Sequence, residues 1–74
     1  MTSETKMRNI GRNIHILLYD KKMTKTELGK KVGLSHAMIS YIVAGERRTN
    51  IDTLAKIAEV LDTTVDDLMK GGNV

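Results

Sequence analysis

Seventy-four residues make one small domain; with no cysteine there is no disulfide framework and no thiolate zinc centre, and with Tyr19 and Tyr41 as its only aromatics the core has to be aliphatic. The net charge of +3 is unevenly spread: residues 1–48 carry ten of the twelve Lys and Arg against four acids, and residues 49–74 carry two against five. One end of the molecule therefore attracts polyanions and the other repels them.

His15 and His36 are far apart and lack neighbouring carboxylates, so neither a metal nor a cofactor is expected. The N-terminal stretch MTSETKM is polar, with no apolar segment behind it, and does not read as a secretory signal. The longest apolar run, near Ile14–Tyr19, is interrupted by His15 and too short for a bilayer. A cytoplasmic protein that binds no membrane is the expectation.

Periodicity predicts five helices and no strand, an all-α domain over residues 7–70 between a flexible flank (1–6) and a flexible tail (71–74). The first helix is expected over about Met7–Lys21, with Ile10, Ile14, Leu17 and Leu18 as its apolar stripe. The second starts after Thr24, which forms a T-x-x-E capping box with Glu27, and ends at Val32 where Gly33 supplies a left-handed turn. Ser35 caps the third, about His36–Ala44, and Gly45 ends it. A polar loop with Arg47 and Arg48 leads to Asn50, the cap of a fourth helix, about Ile51–Leu61, with Leu54, Ile57, Ala58 and Leu61 inward. Thr64 and Asp67 repeat the capping pattern for a short fifth helix carrying Val65, Leu68 and Met69, stopped by Gly71-Gly72.

The stretch Lys25–Ala44 is the most specific. Leu28 and Val32 face one way on the second helix, and Ile39 and Ile42 one way on the third. Gly29 permits close approach of the two helices, Gly33 makes the turn tight, and Leu34 tucks into the core to fix it. This is the spacing of a DNA-binding helix-turn-helix rather than of an ordinary helical hairpin. With Ile39 and Ile42 inward, Ala37, Ser40, Tyr41 and Ala44 point outward with His36 at the flank, and Met38 falls on the boundary as partial core.

From IGRNIHILL to TTVDDLM, about Ile10–Met69, the chain resembles the lambda-repressor-like helix-turn-helix family of phage repressors, Cro-type and xenobiotic-response-element-type proteins and small bacterial regulators. The resemblance implies a compact five-helix domain, with the helix-turn-helix formed by helices 2 and 3. It binds operator DNA, usually as a two-fold dimer. It also implies base-edge contacts from His36, Ala37, Ser40 and Tyr41. The duller alternatives are that His36 extends into solvent and that Tyr41 lies back on a neighbouring helix. Two departures stand out: Val43-Ala44 replaces the frequent Glu-Arg or Glu-Asn pair, and Asn50 replaces a frequent loop proline.

Phosphate contacts are expected from Thr24 and Lys25 at the start of the second helix and from Ser35 at the start of the third, where unpaired amides and the positive dipole end suit an anion. Arg47 and Arg48 can clamp the adjacent backbone. The leading reading is thus a sequence-specific regulator, a repressor of phage or mobile-element type, partnered by double-stranded DNA and needing no small-molecule ligand. Its limited interface makes dimerisation weak until DNA supplies both half-sites. The alternative is a protein-interaction module on the same fold, an antitoxin or accessory factor using Val65, Met69 or Val74; the simpler role for Val65, Leu68 and Met69 is to close the core. An enzyme is disfavoured: there is no cysteine nucleophile, and Asp66 and Asp67, adjacent on a helix, diverge by about 100°.

Overall fold

The computed structural model describes residues 3–46 and 48–70. Five α-helices follow one another, α1 (Ser3–Asp20), α2 (Lys25–Val32), α3 (His36–Val43), α4 (Ile51–Val60) and α5 (Val65–Met69), with no strand among the described residues. Local chemistry explains the starts. The hydroxyl of Thr24 accepts from the Glu27 amide at 3.0 Å while the Glu27 carboxylate accepts from the Thr24 amide at 3.0 Å, a closed capping box. Ser35, Asn50 and Thr64 accept in the same way from Met38, Thr53 and Asp67.

The helix ends also share one chemistry. After α1, α2, α3 and α4 a single residue turns left-handed: Lys22 (φ 53), Gly33 (φ 79), Gly45 (φ 76) and Asp62 (φ 57). The next amide then reaches back five residues, Met23 to Leu18, Leu34 to Gly29, Glu46 to Tyr41 and Thr63 to Ala58, at 2.8–2.9 Å. This bond satisfies a carbonyl that the helix end leaves open. Two of the four positions lack glycine, which is why α1 and α4 carried no stop signal in the sequence. The expected ends at Lys21, Ala44 and Leu61 each run one residue too far. The expected stop at Gly71-Gly72 lies outside the described residues.

Ile14, Leu18, Leu28, Val32, Ile39, Ile42, Leu54, Ile57, Ala58, Leu61 and Leu68 form the buried core, all aliphatic as the composition requires. α1 packs against α3 and α5, α2 against α3 and α4, and α4 against α5. One expectation needs correction: α1 begins at Ser3, not Met7. Met7 and Ile10 share a groove with Ile51, Leu54 and Met69. Val65 and Met69 are half-buried and pack against the core, and Val74 lies outside the described residues.

Two residues unremarked in the sequence set how α1 sits. Gly11 is buried, and a methyl group there would overlap the carbonyl oxygen of Val43 and lie 2.7 Å from that of Ile42. The absence of a side chain thus lets α1 cross directly over the C-terminal end of α3. Asn13 donates from its amide nitrogen to the carbonyl oxygens of Leu68, Lys70 and Asp67 at 2.7, 3.0 and 3.2 Å, closing the end of α5 from another helix.

Candidate nucleic-acid interface

The α2–turn–α3 unit is fixed from inside. Leu28, Val32, Ile39 and Ile42 are buried between the two helices and the rest of the core, and Leu34 and Met38 pack against them. Gly29 has a somewhat different task from the one expected. A side chain there would overlap the carbonyl oxygen of Leu34, with Ile39 Cγ1 next at 3.6 Å, so the turn itself comes closest to α2.

With Ile39 and Ile42 inward, His36, Ala37 and Tyr41 lie exposed on α3 and Ser40 is half-buried beside them. Tyr41 keeps 47% of its surface open. No segment among the described residues covers this side. His36 stands in the first turn, one residue beyond the Ser35 cap.

The expected phosphate-binding groups surround that face. Thr24 is exposed and Lys25 half-buried at the start of α2; Ser35 is exposed at the start of α3; Arg48 is exposed in the loop after it. Arg47 lies outside the described residues. The capping box narrows what α2 can offer an anion: Glu27 already occupies the Thr24 amide, leaving the amides of Lys25 and Thr26 as the unpaired donors of that first turn. Ser35 Oγ accepts from the Met38 amide at 3.1 Å and retains its hydroxyl proton for an outside acceptor.

Glu27 lies in the first turn of α2 and Glu46 follows the end of α3. Asp66 and Asp67 open α5, which packs on α1 and α4. The Lys70 ammonium bonds Asp67 at 2.8 Å and, with its charge and the Thr64 hydroxyl, holds the Asp67 carboxyl below the ordinary carboxylate range; Lys70 is raised in return. That ion pair is the only one among the described residues, and Lys25 and Arg48 take no part in one there.

The fold is that of a helix-turn-helix domain of lambda-repressor-like architecture. The chain belongs to the helix-turn-helix family HTH_3, which it matches over residues 16–68. It is similar to an HTH_3 family transcriptional regulator from Vibrio cholerae at 25% identity and TM-score 0.82, covering 90% of this chain and 38% of that one. It is also similar to the clp gene regulator ClgR of Corynebacterium glutamicum at 22% identity and TM-score 0.80, covering 84% and 66%. The restriction-modification controller protein C.AhdI of Aeromonas hydrophila shares 21% identity and TM-score 0.78, covering 84% and 94%. The chain thus spans just under two thirds of ClgR and little over a third of the Vibrio protein. No curated protein matches it.

Proposed function

We propose that this chain is a sequence-specific regulator of transcription, a small repressor of phage or mobile-element type that binds an inverted-repeat operator as a dimer. The observation that carries the reading is the exposed side of α3, with Lys25 and Arg48 outside any ion pair among the described residues in the segments before and after it, on a family member with a helix-turn-helix. In this reading His36, Ala37, Ser40 and Tyr41 face base edges in the major groove. Ala37 packs on a thymine methyl, and His36 and the Tyr41 hydroxyl hydrogen-bond bases or nearby phosphate. None of the four is Arg or Gln, so methyl contacts and DNA shape carry much of the specificity. Lys25, Thr24, Ser35, Arg48 and Arg47 hold the sugar–phosphate backbone and set the register.

The regulators ClgR and C.AhdI, similar in fold, fit the same reading. No helix among the described residues is long and apolar enough to cross a membrane. Dimerisation is weak without DNA because one domain of this size offers little interface, and two half-sites about one helical turn apart bring the protomers together.

Selection of binding sites from a random duplex pool tests this. A two-fold symmetric motif with half-sites spaced by about 10 base pairs is the expected outcome. Enrichment of nothing, together with no salt-dependent affinity for any duplex, would leave the interaction-module alternative in its place.

A further inference from the structure

We propose that α1, outside the helix-turn-helix, carries a second phosphate-binding strip made by Arg8 and Arg12. The inference rests on the DNA-binding reading above and enlarges its footprint. Three observations support it. First, α1 starts before the apolar pattern does, at Ser3, so Arg8 lies well inside a formed helix. Second, α1 runs against the end of α3 closely enough that backbone meets backbone. A side chain at Gly11 would overlap the Val43 carbonyl, and one at Gly45 would come within 3.3 Å of the Cα and Cγ of Arg8. Arg8 is thus seated beside the residue at which the chain turns out of α3. Third, Arg12 follows Arg8 by four positions, on the same side of the helix, and both are exposed.

Gly45 lies against the Cα and Cγ of Arg8, and Arg12 is next along the same side of the exposed helix surface. Lys6 and Arg48 line a common groove with Met7 and Ile10 of α1. Glu46, exposed just after Gly45, is the acid nearest this turn in sequence, yet it makes no ion pair among the described residues. A guanidinium fork suits the two free oxygens of a backbone phosphate. Since α3 is the helix that enters the groove, a cation held at its C-terminal end meets the strand bordering that groove.

A purely structural role competes: a cation near a helix C-terminus also stabilises the helix dipole. The salt dependence of duplex affinity separates the two. Fluorescence anisotropy of a labelled duplex across a salt series is measured for the wild-type chain, for Arg8→Gln/Arg12→Gln, for Arg8→Lys/Arg12→Lys and for Lys56→Gln. Lys56 is an exposed cation on α4 and controls for net charge. The slope of log affinity against log salt should fall by about 0.9 for each phosphate that the protein no longer neutralises, so by about two units in the glutamine double variant. It should be retained by the lysine variant and by Lys56→Gln. Arg12→Gln alone, whose side chain is exposed, should lower the slope by about one unit and decides the matter if the double variant does not fold. A glutamine double variant with the wild-type slope overturns the proposal, whether or not its melting temperature drops. A wild-type chain with no salt-dependent affinity overturns the DNA-binding reading itself.

Discussion

The side-chain amide of Asn13 on α1 donates to the main-chain oxygen of Leu68 on α5 at 2.7 Å, across 55 positions of sequence. The same nitrogen also reaches the oxygens of Asp67 and Lys70. α5 has five residues, too few to be stable alone, and its last carbonyls have no helical partner. Asn13→Ala should therefore cost about 1–2 kcal/mol, read as a drop in Tm of about 4–8 °C per kcal/mol for a domain of this size. Asn13→Asp should cost more, because a carboxylate cannot donate to three carbonyls. An aspartate variant as stable as the wild type would remove this hydrogen bond from the account.

Gly11→Ala sets helix propensity against packing. Propensity favours alanine by up to about 1 kcal/mol. The added methyl, however, would overlap the Val43 carbonyl, and backbone yields poorly. A net loss of about 1–3 kcal/mol is expected. Chemical denaturation measures it, and a stabilised variant would mean that α1 and α3 are further apart than described.

Lys22→Gly should act in the opposite direction. Lys22 ends α1 at φ 53, a conformation that a side chain makes unfavourable by about 1–2 kcal/mol. Part of the relief is offset by the greater freedom of glycine in the unfolded chain, leaving a gain of about 0.5–1 kcal/mol. Thermal melts that show no rise would argue against a left-handed residue there.

The exposed pair Lys70–Asp67 gives a small pH dependence. Asp67 holds its proton more weakly when folded than its ordinary value of 3.8 implies, chiefly through the hydrogen bond and charge of Lys70. Its contribution is thus present above that value and is lost as pH falls through the lower folded value, because the unfolded state then binds more protons. Asp67→Asn should melt slightly below the wild type near neutral pH, and the two curves should converge in acid. A gap that persists at low pH would assign the difference to something other than charge.

For DNA, Arg48→Ala should weaken binding to every sequence alike and lower the salt slope by about one unit. Tyr41→Ala should leave that slope nearly intact and relax base preference, provided its Tm holds. Reversed outcomes would exchange the roles given to the two residues.

Most of the fold was legible in the chain because it is written in short-range chemistry. The caps at Thr24, Ser35, Asn50 and Thr64 involve partners three residues away, and the turn at Gly33 is a property of one residue. The apolar spacing of Leu28, Val32, Ile39 and Ile42 identified the core side of α2 and α3, and with it the outward set His36, Ala37, Ser40 and Tyr41.

What only the tertiary structure decided is what lies far apart along the chain. No local rule marks Gly11 as a crossing point, Asn13 as a cap for a helix 55 positions away, or Arg8 as a neighbour of Gly45. The early start of α1 belongs with them, since no apolar spacing in the sequence reaches back to Ser3. Periodicity and capping report which side of each helix is apolar and where it begins; which backbones then touch depends on how five such sides close over one another, and no single segment contains that information.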